Sequence, residues 1–162
     1  MSDQQGLFVK MALDAWNNEI KFTNALLDKL TDEQFMHEVA PTRNRGIYLL
    51  GHLTAVHDRL LPLLRFQDVM YPDLSKPFLD EADKAVADLP SVVQLREQWK
   101  AVNTTLTDHM GRLPAADWFT RHASISEEDF AKEPHRNRLN VVLSRTSHLA
   151  NHRGQLVLLT LR

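Results

Sequence analysis

The chain has 162 residues, of which 43% are hydrophobic and 25% charged, as expected of a globular domain and not of a disordered chain. Its 19 Lys and Arg residues against 21 Asp and Glu residues give a formal charge of -2, which leaves no basic surplus for general nucleic-acid binding. The absence of Cys excludes disulfides, a Cys nucleophile, iron–sulfur clusters and thiolate zinc sites. Any metal bound by the protein must therefore be held by Asp, Glu or the 8 His residues.

The sequence shows no feature of an exported or membrane protein. Residues 1–6 lack a basic segment followed by an apolar one, and the longest apolar runs are far shorter than the roughly 20 residues that span a bilayer. We therefore expect a cytoplasmic protein with no membrane contact. No linker rich in Pro, Gly or Ser divides the chain, so we expect one helical domain over residues 1–162.

Composition and periodicity predict an all-α fold built on four long helices. Gly occurs only 5 times, and no Asn-Gly or Asp-Gly hairpin pattern is present. The first helix would extend from about Gly6 to Leu30, and the segment from Thr31 to Gln34 resembles a cap followed by one more helical turn. Apolar residues recur in the first helix at three- and four-residue steps, which predicts a buried stripe of Phe8, Ala12, Ala15, Phe22 and Leu26.

The second helix would extend from about Arg45 to Gln67. Pro62 lies within it and should kink or loosen it, because Pro lacks an N–H and crowds the preceding turn. The long connection that follows, residues 68–90, contains a short amphipathic segment over residues 79–89. The predicted inner stripe of the second helix is Tyr48, Leu49, His52, Val56, Leu60 and Leu63.

The third helix begins after Ser91, which forms a capping-box pattern with Gln94, and ends near Gly111. A second long connection, residues 114–138, leads to the fourth helix, which begins near residues 139–140. Two long connections argue against a bundle with short loops throughout. The predicted stripes are Val92, Leu95, Trp99, Val102, Leu106 and Met110 in the third helix and Val141, Arg145, His148, His152, Gln155 or Leu156, and Leu159 in the fourth.

Three of the 8 His residues, His52, His148 and His152, fall on these inner stripes. His148 and His152 are four residues apart, so on a helix they lie one turn apart on the same face and can reach one metal ion. Three imidazoles converging between helices would suit Zn, Ni, Co or Fe. The alternative is that each His is a hydrogen-bonded core residue. Leu149 stands where a metalloprotease helix needs Glu, so that motif is absent.

Two stretches resemble the DinB/YfiT-like superfamily: Leu-Leu-Gly-His-Leu at residues 49–53 and His-Leu-Ala-Asn-His-Arg-Gly-Gln-Leu at residues 148–156. The second is the sharper match, because the family often has two His separated by three residues and followed by Arg-Gly-Gln. The resemblance covers essentially the whole chain. It implies a four-helix bundle with a long crossover and a divalent metal held by His52, His148 and His152. Many members are homodimers, and the family name indicates no DNA binding.

The same resemblance implies an enzyme, because three protein ligands leave a metal at least one position for water or substrate. Characterised relatives resemble transferases and isomerases that use a low-molecular-weight thiol, while others are described as metal-dependent hydrolases. We therefore expect small-molecule group transfer or hydrolysis, with Zn or Ni as the metal and an external thiol as cosubstrate. The alternative is a non-enzymatic, metal-binding stress-response dimer whose coordination shell is closed by a fourth ligand such as Glu19.

Three further residues are candidates for supporting the site, each with a plainer alternative. Glu19 could orient a ligand His or act as a base, or it is exposed because the predicted register is one residue off. Arg145 could bind an anionic group of the substrate, or pair with a nearby carboxylate. Gln155 could hydrogen-bond within the site, or only pack. We expect Arg153 to point away from the ligand face, and the remaining His residues, among them His57, to lie at the surface.

Overall fold

The computed structural model describes residues 2–161, with side chains from residue 4 onward. Within this range the protein is all-α, as predicted, and has no β-strand, only two isolated β-bridges. No helix in this range is both long and apolar enough to cross a membrane. Shorter turns lie at Pro72–Leu74, Ala115–Phe119 and Val157–Leu161, which are 3-10 turns, and at Lys76–Asp80, a π-helical turn. The α-helices are α1 (Ser2–Leu27), α2 (Asp32–Phe35), α3 (Gly46–Asp58), α4 (Leu60–Leu63), α5 (Val92–Arg112), α6 (Glu127–Lys132) and α7 (Arg138–Leu156).

The four longest helices pack against one another in three pairs. Helix α1 lies along α7, α3 lies against α5, and α3 also contacts α7. Apolar side chains from these elements fill the interior in two clusters, one around Leu50 and Leu156 and the other around Trp16, Leu60 and Trp118. Helix α3 is buried on nearly every side. Polar side chains on α3 therefore lie inside the molecule, where they need partners.

The predicted stripe of α1 is wrong by one residue. Phe8 and Phe22 are 62% and 54% exposed, whereas the buried line passes through Val9, Trp16 and Thr23. Both lines have helical spacing, so periodicity alone does not choose between them. The observed line is favoured because it places Trp16, a larger side chain than Phe, in the core, where a fully buried aromatic contributes most.

Local sequence patterns predicted other elements correctly. Every residue of the predicted α5 stripe is buried, and Ser91 and Gln94 form the predicted capping box at the start of that helix. Thr31 and Gln34 form a second capping box at the start of α2. These features depend on residues three positions apart, so the sequence alone contains the information that sets them.

Pro62 divides the predicted second helix. Helix α3 ends at Asp58 and α4 begins at Leu60, because Pro62 has no N–H and its ring crowds the carbonyl of Asp58. The side chain of Asp58 is buried and accepts hydrogen bonds from the backbone N–H groups of Met70 and Tyr71, each at 2.8 Å. The end of α3 therefore anchors the start of the long connection.

The connection does not form the predicted amphipathic segment over residues 79–89. A π-helical turn over Lys76–Asp80 packs against α3 instead, and the chain beyond it is irregular. The backbone N–H and the guanidinium of Arg45, at the start of α3, both donate to the Asp83 carboxylate at 2.7 Å. Such tertiary contacts outweigh the weak helix preference of a short segment.

Candidate metal centre

Three imidazole rings meet between α3 and α7. His52 comes from α3, and His148 and His152 come from successive turns of α7. The Nε2 atom of His148 lies 3.2 Å from the Nε2 atom of His52 and 3.2 Å from that of His152. All three rings are half-buried, and their ligand atoms lie within 4.8 Å of one another. The structure thus brings together the three residues that the sequence predicted as ligands.

Packing around Gly51 fixes the ring of His52. A Cβ atom at residue 51 would lie 2.3 Å from the Phe78 ring, so only Gly allows the π-helical turn to approach α3 this closely. The Phe78 carbonyl then accepts a hydrogen bond from Nδ1 of His52 at 2.8 Å. This bond places the proton of the neutral ring on Nδ1 and leaves a lone pair on Nε2, which faces the other two rings.

Gln155 holds His152 in the same tautomer. Its Oε1 atom lies 3.3 Å from Nδ1 of His152 and can only accept, so Nδ1 donates and Nε2 carries the lone pair. Of the two interpretations of Gln155, hydrogen bonding beside the site agrees with this contact. His148 differs from the other two rings, because its Nδ1 atom is buried and has no hydrogen-bond partner among the described residues.

The three nitrogen atoms fit a divalent cation. The Nε2 lone pairs of His52 and His152 both point at Nε2 of His148 across 3.2 Å. One proton on His148 can bridge only one of these two gaps, so the lone pair across the other gap has no donor. A cation would instead accept one lone pair from each of the three rings. Two nitrogens that each lie about 2.0–2.1 Å from a tetrahedral zinc ion are about 3.3 Å apart, close to the spacing found here.

The surroundings favour the neutral form of His148 and His152. Burial lowers the pKa of His148 to about 4, and the charges of His152, His52 and Arg145 act in the same direction. Burial also lowers the pKa of His152, followed by the effect of His52, while the hydrogen bond to Gln155 opposes the shift. At neutral pH both rings are therefore in the unprotonated form that binds metal.

Glu19 does not face the three histidines. Its side chain is only 12% exposed and pairs with Arg153, which also lies over the ring of Phe22 with 5.7 Å between the guanidinium carbon and the ring centroid. Arg153 was expected to point away from the ligand face, and its partner is indeed the buried carboxylate of Glu19 on α1 and not one of the three histidines. Among the described residues, the group of possible ligand atoms contains no carboxylate, so nothing here supports Glu19 as a fourth ligand.

In the described part of the chain, Arg145 has no carboxylate partner. It lies one turn before His148 on α7, and its side chain is half-buried. Among residues 4–161 no Asp or Glu lies within ion-pair distance of it. The half-buried Arg45 and Arg153, by contrast, are each held by a carboxylate. The plainer expectation for Arg145, a salt bridge, is therefore not met.

His57 is the residue that the sequence interpretation missed. It was expected at the surface because it lies on a different side of α3 from His52, yet it is fully buried. Its ring lies between those of Trp16 and Trp99, with both centroids 4.8 Å away. Burial lowers its pKa to about 3. The useful pattern was the nearly continuous run of apolar residues around it in α3 and α4, which predicts that most of that segment is buried.

A sizeable groove lies away from the three histidines. A groove of about 610 Å³ between α1 and α5 is lined by Ile20, Asn24, Trp99 and Asn103, among other residues, and none of the three clustered histidines lines it. Two of its wall residues, Trp99 and Asn103, also contact His57 from the other side. The chemistry of the donor atoms, and not the size of a cavity, therefore identifies the candidate site.

The comparison with known families agrees with the fold and with the histidine cluster. No curated protein matches the chain. Residues 16–156 match the family model described as the DinB superfamily, and this range contains His52, His148 and His152 together with all of α3, α5 and α7 and the C-terminal part of α1. The chain therefore belongs to the DinB superfamily.

Proposed function

We propose that this protein is a metalloenzyme that holds a divalent cation, Zn²⁺ or Ni²⁺, through Nε2 of His52, His148 and His152. The observation that carries the proposal is that Nε2 of His148 lies 3.2 Å from Nε2 of both His52 and His152, with all three ligand atoms within 4.8 Å of one another. The Nδ1 atoms of His52 and His152 each donate to an acceptor, so the lone pair of each ring is on Nε2, which faces the other histidines. Three such ligands leave at least one coordination position for water or substrate.

The reaction is small-molecule group transfer, with hydrolysis as the simpler variant. A bound divalent cation would acidify a coordinated water or thiol, or polarise a carbonyl group. The chain has no Cys, so a thiol would have to come from a low-molecular-weight cosubstrate. No carboxylate joins the histidine group in the described part of the chain. A thiol gives up its proton more readily than water, so a site without a carboxylate base favours thiol-dependent transfer.

Arg145 would bind an anionic group of the substrate. Its guanidinium has no ion-pair partner among the described residues, and it lies on the same face of α7 as His148 and His152. A guanidinium binds a carboxylate or phosphate with two parallel hydrogen bonds, which orients as well as attracts it. The substrate we propose therefore carries a carboxylate or a phosphate besides the group that reacts.

We also propose that the protein is a homodimer formed through α1. Phe8, Met11 and Phe22 are 62%, 59% and 54% exposed. Together with the exposed Ala15 they form one apolar line along α1, beside its buried face. An apolar line of this kind on a soluble helix is typical of a protein–protein contact.

The test combines metal analysis with turnover. Purified protein should contain close to one equivalent of Zn or Ni after dialysis, and His148→Ala should contain none. Turnover of a carboxylate-bearing electrophile should require both the metal and an added thiol, and Arg145→Gln should raise KM more than it lowers kcat. His135→Ala, which removes an exposed histidine in a loop, serves as the control.

Two results would contradict the proposal. If neither the wild-type protein nor protein reconstituted with Zn²⁺ or Ni²⁺ retains metal, the histidines are core polar groups. If the protein holds metal firmly but shows no exchangeable coordination position and no turnover, it is a non-enzymatic metal-binding dimer.

A further inference from the structure

His57 is a buried histidine with one nitrogen atom unpaired. Its side chain is fully buried between Trp16 and Trp99, five residues after His52 on the same helix. Nδ1 of His57 lies 2.8 Å from Oδ1 of Asn103. Nε2 is buried and has no hydrogen-bond partner among the described residues. A buried polar atom without a partner is costly, and such an atom in a native protein calls for an explanation.

The hydrogen bonds of Asn103 establish which nitrogen carries the proton. Its Nδ2 group donates to the Trp99 carbonyl at 2.8 Å, so its Oδ1 atom is the one that faces His57. The reverse orientation would place two acceptors against each other at Trp99. Nδ1 of His57 must therefore donate, and Nε2 of the neutral ring is an acceptor.

His148 carries the complementary unpaired atom. When its Nε2 binds a metal, the proton of the neutral ring must lie on Nδ1, which then becomes a donor. This Nδ1 atom is buried and unpaired, whereas Nδ1 of His52 and of His152 each has an acceptor. In the described residues, the histidine cluster thus lacks an acceptor for Nδ1 of His148, and Nε2 of His57 is an acceptor without a donor.

The two atoms belong to elements in contact. Helix α3, which carries His57, packs against α7, which carries His148. Burial is the main cause of the lowered pKa of His57, and among the charged groups His148 has the largest influence on it, ahead of Arg145 and His52. The two atoms do not bond each other directly, since both lack a partner in the described part of the chain, and one buried water between them would satisfy both.

We propose that His57 is a positioning residue for the metal centre: one buried water accepts the Nδ1–H of metal-bound His148 and donates to Nε2 of His57. The proposal rests on the metal binding proposed above. It completes a pattern in which every ligand ring has an acceptor, namely the Phe78 carbonyl for His52, Gln155 for His152 and, through the water, His57 for His148. Asn103 and the two Trp rings would then serve to hold the His57 acceptor in the required tautomer and orientation.

The test measures zinc affinity by competition with a chromophoric chelator. His57→Phe keeps an aromatic ring between the two Trp side chains and removes the acceptor. We expect it to weaken zinc binding about 10- to 100-fold, the usual cost of losing an outer partner of a ligand His. His109→Phe is the matched control, because His109 stacks on Phe66 and contacts Gln67, and it should bind zinc like the wild type.

A second measurement needs no variant and therefore does not depend on how His57→Phe folds. Nitrogen-15 NMR of the zinc-loaded wild-type protein should show a slowly exchanging Nδ1–H on His148 and an unprotonated Nε2 on His57. Zinc affinity of a folded His57→Phe within twofold of the wild type, or a rapidly exchanging His148 proton, would overturn the proposal. Failure of the wild-type protein to bind either zinc or nickel would overturn this proposal and the proposed function together, whereas equal zinc binding by the wild type and His57→Phe would overturn this proposal alone.

Discussion

His52 and His57 lie five residues apart on one buried helix, yet their surroundings give the two rings different properties. His52 is half-buried, donates through Nδ1 to a carbonyl of the π-helical turn, and presents Nε2 to two other imidazoles. His57 is fully buried, donates through Nδ1 to an amide oxygen, and has an aromatic ring on either side. Both rings use Nδ1 as the donor, so the tautomer is the same.

What differs is the group that each Nε2 faces. The Nε2 lone pair of His52 converges with those of two other rings, so it can contribute to metal binding. The Nε2 lone pair of His57 lies among apolar rings, so it can only accept a hydrogen bond. The comparison teaches that burial and tautomer do not by themselves identify a metal ligand. A metal ligand is identified by the convergence of its donor atom with other donor atoms. This difference between His52 and His57 has consequences of different size for metal binding and stability.

Removal of a converging nitrogen should have the largest effect. We expect His52→Ala to weaken zinc affinity by more than about 100-fold, beyond the usual cost of losing an outer partner. Metal content after dialysis, measured by elemental analysis, should fall to background. His37→Ala, which removes an exposed histidine after α2, should retain the metal. If His52→Ala retained a full equivalent of metal, His52, like His57, would not be a metal ligand.

The close approach beside His52 can be tested at Gly51. Gly51→Ala places a methyl group 2.3 Å from the Phe78 ring, and such overpacking usually costs about 1–3 kcal/mol of unfolding free energy. Gly154→Ala is the matched control, since nothing lies within 4 Å of its added Cβ and Ala stabilises a helix by about 0.5–1 kcal/mol relative to Gly. Urea unfolding of the metal-free variants gives both values. Equal effects of the two substitutions would contradict the packing described here.

The full burial of His57 predicts an acid-sensitive fold. Burial lowers its pKa to about 3, against about 6.5 in an unfolded chain. Between these values the unfolded chain binds a proton that the folded protein does not, so the free energy of unfolding rises with pH across this window. From pH 8 to pH 5 this group should account for a loss of about 2 kcal/mol. His148, with a pKa lowered to about 4 by burial, adds to the loss in the same direction.

Urea unfolding of metal-free protein at several pH values checks this expectation. His57→Phe should flatten the dependence between pH 8 and pH 5, while His109→Phe should keep that of the wild type. A His57→Phe variant with an unchanged pH dependence would mean that His57 is already able to take up a proton in the folded state.

Loss of one outer acceptor should give the smallest effect. Gln155→Leu removes the acceptor for Nδ1–H of His152, and we expect zinc affinity to fall about 10-fold, with little change in unfolding free energy. Gln155→Glu keeps an acceptor at the same position and should restore most of the affinity. Chelator competition distinguishes the two variants, and equal affinities for Gln155→Leu and wild type would assign Gln155 to packing alone.

The elements that the sequence predicted well are those set by neighbouring residues. The capping boxes at Thr31 and Ser91 and the buried stripe of α5 depend on residues a few positions apart. The pair of His148 and His152 on one face of α7 is of the same kind, because helical spacing alone brings them together. His52 joined them through its place on a predicted inner stripe and through family resemblance.

The features that the sequence did not reveal depend on contacts between distant segments. On α1, two lines of apolar residues had the same spacing, and only the packing of Trp16 against His57 distinguishes them. The pairing of Glu19 with Arg153 joins helices at opposite ends of the chain. His57 is buried because Trp16 of α1 and Trp99 of α5 pack against its ring. The helical spacing of residues within α3 does not predict contacts with these two helices.

The buried Asp58 has a consequence for how the long connection folds. Its carboxylate holds the backbone of Met70 and Tyr71, and Asp83 is held in turn by Arg45. These two attachments to α3 divide one long excursion into shorter loops, and the entropy of closing a loop grows only with the logarithm of its length. An insertion of a few residues at the exposed positions 87–88, beyond the second attachment, should therefore cost little stability and leave the helices in register.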